Sequence, residues 1–245
     1  MKDYILEVCV DSLESAEQAK IGGANRLELC ANLVIGGTTP SISLFKRVKE
    51  LCTLPVHVLI RPRYGDFCYS EREILVMTDD ILRFKDEGAD GVVIGALRTD
   101  GCLDISIMEK LCRVAGSMSI TLHRAFDMCK DPFETMTHAK DLGLNTILTS
   151  GQKNHCIDGI KLIRDLAEKN QIDIMVGSGV NTDVIRQIKA TTKVTSFHLS
   201  GKKKINSNMI FRNQYVSMGI ASLCEYENWI TCADIIKEAK ICIDK

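Results

Sequence analysis

The sequence predicts a single-domain α/β protein spanning 1–245, a (β/α)8 TIM barrel with an extra C-terminal arm at 201–228. Three observations predict it. Short runs rich in Ile, Leu and Val alternate strictly with longer amphipathic stretches, the pattern of parallel strands joined by crossover helices. The apolar runs number eight. The length, 245 residues, is ordinary for eight βα units closed into a ring. A doubly wound open sheet is the rival, but no Gly-x-Gly-x-x-Gly follows the first strand.

The elements follow in order. Strands are expected near 5–10, 26–30, 56–60, 91–96, 119–124, 145–150, 172–178 and 194–200. Helices are expected near 12–21, 42–52, 71–87, 104–115, 132–142, 157–169, 181–190 and 228–243. Glycines punctuate the helix ends at Gly22-Gly23, Gly88 and Gly143, as left-handed caps do. Each is followed within a few residues by a strand, as in a degenerate βα repeat. Thr39 ahead of Pro40, and Asp131 ahead of Pro132, read as helix N-caps with proline at the first helical position. The stretch 201–228 shows neither period and is read as an arm over one barrel mouth or against a second subunit.

Composition narrows the function classes. The net charge is −1, with both signs mixed along the chain, which leaves no nucleic-acid footprint and no polybasic membrane anchor. The start "MKDYILEVCVDS" has too short an apolar run for a signal peptide, and no run approaches the ~20 residues of a membrane helix. A cytoplasmic location is therefore expected. The 11 cysteines form no Cys-x-x-Cys, so neither a zinc ribbon nor a thioredoxin motif is present. In a reducing compartment most are expected to be buried free thiols.

Barrel enzymes and binding proteins work at the C-terminal strand ends. Strand side chains alternate between faces, so Leu6, Val8, Val10, Leu27 and Leu29 should face the helices. Glu7, Cys9, Glu28 and Cys30 then face the barrel axis. Buried carboxylates need partners, and Arg61 and His123 lie at the level to supply them, with His198 alongside. One carboxylate–arginine pair can close a barrel end for structural reasons alone. Convergence from four or five strands asks for more than Val, Ile and Leu would deliver.

The loops suggest an anion. The seventh strand ends in Gly177-Ser178-Gly179, small residues that expose backbone N–H groups at a helix start. The sixth ends at Ser150, the eighth at Ser200, and Lys202-Lys203-Lys204 follow. There is no Gly-x-Ser-x-Gly elbow, no His-Glu-x-x-His, and no strand lysine for Schiff-base chemistry.

The segments "EVCVDS", "GGANRLELCANLVIGGTTPS", "VHVLIRPRYGDFCYSEREILVMTDDI", "GADGVVIGAL", "HRAFDM", "ILTSG" and "FRNQYVSMG" together resemble the CutC family, named for copper homeostasis, from about residue 4 to residue 219. The resemblance implies a (β/α)8 barrel, a cytoplasmic location, dimers or higher homo-oligomers, and copper(I) as the bound ion. It implies Cys9 and Cys30 as the metal ligands. It maps a polar pocket onto Glu7, Glu28, Arg61, Arg63, His123, Arg124, Asp127 and His198. Copper(I) is soft and suits paired thiolates. Inward positions on adjacent strands, ~4.8 Å apart, would set a thiol pair above a carboxylate pair.

A dithiol uses only two of these polar residues. The alternative is an enzyme (isomerase, lyase or hydrolase) acting on a small phosphate- or carboxylate-bearing metabolite. Glu7, Glu28, Arg61, His123, Asp127 and His198 would be its catalytic set, with Arg63, Arg124, Ser150, Gly177, Ser178, Gly179 and Ser200 binding the anion. A third reading makes the barrel an assembly module that associates through its arm.

Overall fold

A computed structural model describes residues 4–220 and 223–245. Eight parallel strands close into a ring: β1 (Ile5–Val10), β2 (Arg26–Leu29), β3 (Val56–Leu59), β4 (Gly91–Ile94), β5 (Ser119–Leu122), β6 (Thr146–Thr149), β7 (Asp173–Val176) and β8 (Ser196–Leu199). β8 pairs with β1 and shuts the barrel. The helices α1 (Leu13–Ile21), α2 (Ile42–Leu51), α3 (Glu71–Asp86), α4 (Ile105–Ala115), α5 (Pro132–Asp141), α6 (Ile160–Lys169), α7 (Thr182–Thr191) and α8 (Ala233–Asp244) form the outer layer. The expected fold is thus observed, each strand lying within its expected range.

The caps follow side-chain chemistry. Ser12, Ser41, Asp104, Asp131 and Asn181 each accept a backbone N–H in the first turn of a helix, and Ser70 with Glu73 completes a capping box. Asp131 ahead of Pro132 is as expected. Thr39 is not a cap: Ser41 is, and Pro40 precedes it. Thr39 instead locks the end of β3, its N–H donating to the Arg61 carbonyl and its hydroxyl accepting the Arg61 N–H at 2.9 Å.

The main core lies between the ring and the helices, where Leu6, Val8, Val10, Leu27 and Leu29 pack against helix residues such as Phe45, Met77 and Ile185. The ring interior is different. A small apolar set of Cys9, Cys30, Leu59 and Val93 packs there. Around it the interior holds buried Glu7, Glu28, His57, Thr121, Thr146 and Ser196. Two interior positions along β4 and just past it carry no side chain. A Cβ at Gly91 would lie 2.6 Å from the His57 ring, and one at Gly95 would lie 2.7 Å from the His123 ring.

The register corrects one expectation. Glu7 stands beside Arg26 and Cys9 beside Glu28, so the second Glu-x-Cys is displaced by two residues from the first. Barrel closure requires such stagger. The result is a diagonal ladder of acid and thiol in place of a carboxylate pair under a thiol pair.

The segment 201–228 is more ordered than its composition suggests. β9 (Lys202–Asn206) and β10 (Glu227–Thr231) form an antiparallel ribbon between β8 and α8. The expected helix start at 228 is therefore too early, because 227–231 is strand. Three lysines in β9 hide the strand period, and a ribbon with both faces exposed has no apolar face to show. From 209 to 220 the chain carries Ile210, Phe211, Tyr215 and Met218 to solvent.

Candidate functional site

The C-terminal strand ends enclose a cavity of about 450 Å3, lined by Cys9, Glu28, Arg61, His123, His198 and Lys202 among others. Five of these side chains come from inward positions on five strands or the residues just beyond them. Alternation places them there, and the apolar partners at the intervening positions anchor each strand to the helices.

An ionic column rises along the axis below the cavity. Glu7, with no exposure, accepts from Arg26 Nε at 2.6 Å and bonds His198 Nδ1 at 2.8 Å. Burial pushes the Glu7 carboxyl up. The Arg26 guanidinium, with His198 and His57, outweighs it and holds the group at about 2. Glu7 is therefore ionised, so His198 Nδ1–H is the donor and Nε2 is the atom free to face the cavity. Burial pushes the His198 imidazole down, but the carboxylates of Glu28 and Glu7 prevail and its pKa is raised.

Above this column Cys9 Sγ–H donates to Glu28 Oε1 at 3.4 Å and lies 3.7 Å from Cys30 Sγ. Cys30 Sγ reaches the Val10 carbonyl at 3.6 Å. The hydrogen bond with Cys30, then burial, then the charges of Cys30 and Glu28 keep the Cys9 thiol protonated far above its ordinary value. Burial, aided by Glu7 and opposed by His198, raises Glu28. Its Oε2 is buried with no hydrogen-bond partner among the described residues. One donor atom each from Cys9, Glu28 and His198 lie within 4.8 Å of one another.

Arg61 and His123 do not neutralise Glu7 and Glu28, contrary to expectation. Arg26 does so for Glu7. Arg61 donates to the carbonyls of Gly36, Gly37 and Gly65 at 3.2, 2.9 and 2.9 Å and stacks over Phe67. His123 Nδ1 accepts the Ala125 N–H at 3.1 Å, and its ring packs on the same Phe67. Burial, with Arg61 nearby, holds the His123 imidazole down at about 3. It is neutral, so its proton sits on Nε2.

The remaining expected residues divide. Arg124, Ser178, Gly179 and Ser200 line the cavity, Ser178 and Gly179 in left-handed conformation at φ 73° and 75°. Arg124 is held by Asp127 at 2.7 Å and by Ser150 Oγ at 2.9 Å. Asp127 is turned away from the cavity and accepts from Thr149, Ser150 and Gln152, a clasp that ties the β5 and β6 loops together. Ser150 belongs to that clasp. Gly177 sits where a Cβ would strike Leu148 at 2.7 Å. Arg63 stands outside the cavity, paired with Glu73 and Asp66. Of the three lysines, Lys202 reaches the mouth, where both oxygens of Asp11 hold it at 2.8 Å.

Sequence reasoning passed over Arg26 and His57. Both lie two residues below an inward position of their strand, so alternation carried the signal for each.

The chain resembles known proteins over nearly its whole length. The CutC family model matches residues 4–203. A CutC family protein of Bacteroides fragilis is 43% identical over 242 residues, covering 97% of this chain and 96% of the relative. A human protein named copper homeostasis protein cutC homolog is 43% identical over 231 residues, covering 93% and 85%. The crystal structure of a CutC protein from Streptococcus agalactiae superposes with a TM-score of 0.77 at 32% identity, covering 80% of this chain and 98% of that one.

Proposed function

The chain belongs to the CutC family, and from that premise we propose that it is a cytoplasmic copper(I)-binding protein of copper homeostasis. Cys9 and Cys30 hold the ion, with His198 Nε2 as the third donor. The observation that carries this reading is the pair of buried sulfurs 3.7 Å apart. Two thiolates at the ~2.3 Å of a zinc–sulfur bond, set at a tetrahedral angle, stand about 3.8 Å apart, so one small ion fits between them. The donor set is soft enough for copper(I). Glu7 on His198 Nδ1 is the carboxylate–histidine support that fixes ring and tautomer in metal sites.

The Cys9 thiol is held protonated, so binding must release its proton. Glu28 Oε1 already accepts the Cys9 S–H, and Glu28 is raised by its burial. When the sulfur takes the ion, Glu28 is placed to take its proton and pass it on to solvent. Affinity accordingly rises with pH.

Titration of copper(I) against a competing chelator tests the assignment. Cys9→Ser and Cys30→Ser are expected to lose the 1:1 site. Glu7→Gln is expected to keep the stoichiometry and weaken the affinity by about 10- to 100-fold. Unchanged stoichiometry and affinity in both serine variants would remove copper from this site.

The family resemblance also suggests homo-oligomers, and the exposed Ile210, Phe211, Tyr215 and Met218 of the arm supply an apolar face for association. Among the described residues no helix is long and apolar enough to cross a membrane.

A further inference from the structure

Arg61 is 8% exposed, yet no carboxylate among the described residues pairs with it. Its charge faces three neutral carbonyls and the Phe67 ring. Buried charges are ordinarily paired, and this one lies on the wall of an open cavity. Its Nε is buried without a well-formed hydrogen bond, and the neutral Tyr69 hydroxyl is its further polar neighbour. His123 repeats the situation across Phe67. The ring is 5% exposed, lines the same cavity, and its Nε2 also lacks a partner. Because Nδ1 accepts the Ala125 N–H, Nε2 carries the ring proton. Arg61, an uncompensated cation, and His123, with an N–H that no described residue accepts, thus line one cavity.

A third orphan bounds the ligand from the other side. Glu28 Oε2 is buried, unpartnered and on the same cavity wall. It would repel an anion but would accept from a hydroxyl. The cavity therefore asks for a polar molecule with its negative end at Arg61 and a donor at the other.

We propose that Arg61 and His123 bind the oxyanion of a small hydroxylated carboxylate or phosphate ester, with its hydroxyl on Glu28 Oε2. The Arg61 guanidinium and His123 Nε2 donate to the anion, and Arg61 supplies the charge. The copper(I) assignment does not enter this argument. The two share a cavity, with the anion at the β3–β5 side and the thiols at the β1–β2 side.

The test is calorimetric titration of the copper-free full chain with glycerate, glycerol phosphate, inorganic phosphate and neutral glycerol. The same titrations are run on a chain carrying both Cys9→Ser and Cys30→Ser. Glycerate or glycerol phosphate is expected to bind to both chains, and whichever binds tighter identifies the headgroup. Glycerol is expected not to bind. Inorganic phosphate is expected to bind more weakly than a hydroxylated anion, because it leaves Glu28 unmet. Arg61→Lys and His123→Gln should each weaken binding by about tenfold or more. Arg61 also holds three loop carbonyls, so a second readout guards against a folding defect. In wild-type chain labelled with 15N-histidine, the anion should shift the His123 Nε2 resonance and leave Nδ1 in place. Failure of both hydroxylated anions to bind, binding undiminished in both variants, or a still Nε2 resonance would each overturn the proposal.

Discussion

Glu7 is satisfied at both ends, by Arg26 below and His198 above. The other interior imidazoles are not, and this has a pH signature. His57 is held down at about 4, chiefly by burial and also by Arg26, and His123 at about 3. Free histidine takes its proton near pH 6.5. Below that value the unfolded chain holds protons that the folded chain refuses, so stability falls as pH drops from 6.5 toward 4.5. Each histidine contributes a slope of up to about 1.4 kcal/mol per pH unit. Glu28, raised, opposes them in the lower part of that range. His198 has the opposite sign from its two fellows: its raised pKa stabilises the fold fully below 6.5 and that contribution is lost as pH climbs through its folded value. Chemical denaturation between pH 4.5 and 8.5 should therefore show a maximum near neutrality. His57→Gln should flatten the acid limb and leave the alkaline limb alone. At this scale the sequence showed which residues face inward, since alternation alone places Glu7, Cys9, Glu28 and Cys30. It did not show who pairs with whom. Pairing follows the stagger between β1 and β2, which gave Arg26 to Glu7 and left Arg61 alone.

Helix and strand boundaries were legible where one local interaction decides them. Asp131 and Pro132 start α5 as read. Thr39 and Pro40 carry the same signature and start nothing, because both polar groups of Thr39 are engaged by the backbone of Arg61 at the end of β3. Ser41 is left to cap α2. Urea unfolding of Ser41→Ala should register a loss of about 1 kcal/mol with an unchanged m-value. An effect near zero would mean that the cap is dispensable. The ribbon of β9 and β10 was illegible for a different reason. Neither face is buried, so period-2 hydropathy is missing. What holds it is long-range: Lys202 to Asp11 at the end of β1, Lys204 to Glu227, and Lys204 over Trp229.

Closure of eight strands is what turns scattered residues into a site, and it was readable from count and alternation alone. The arm was not, since Ile210, Phe211, Tyr215 and Met218 stand exposed and show no buried period. Exchanging 207–226 for a two-residue turn should leave the barrel folded and its copper stoichiometry intact. Light scattering is expected to find the full chain as a dimer or larger and the shortened chain as a monomer. An unchanged mass would take association away from the arm. The ring also has a member that acts through omission. At 91 and 95, along β4 and just past it, side chains are withheld, and the rings of His57 and His123 lean into the hollows from the strands on either side. Neither glycine reaches the ligands, yet a methyl group at either one would dislodge an imidazole belonging to a neighbour. Drift at these two positions is thus registered around the circumference, and the strand with the least chemistry of its own governs how two of the molecule's bases are seated.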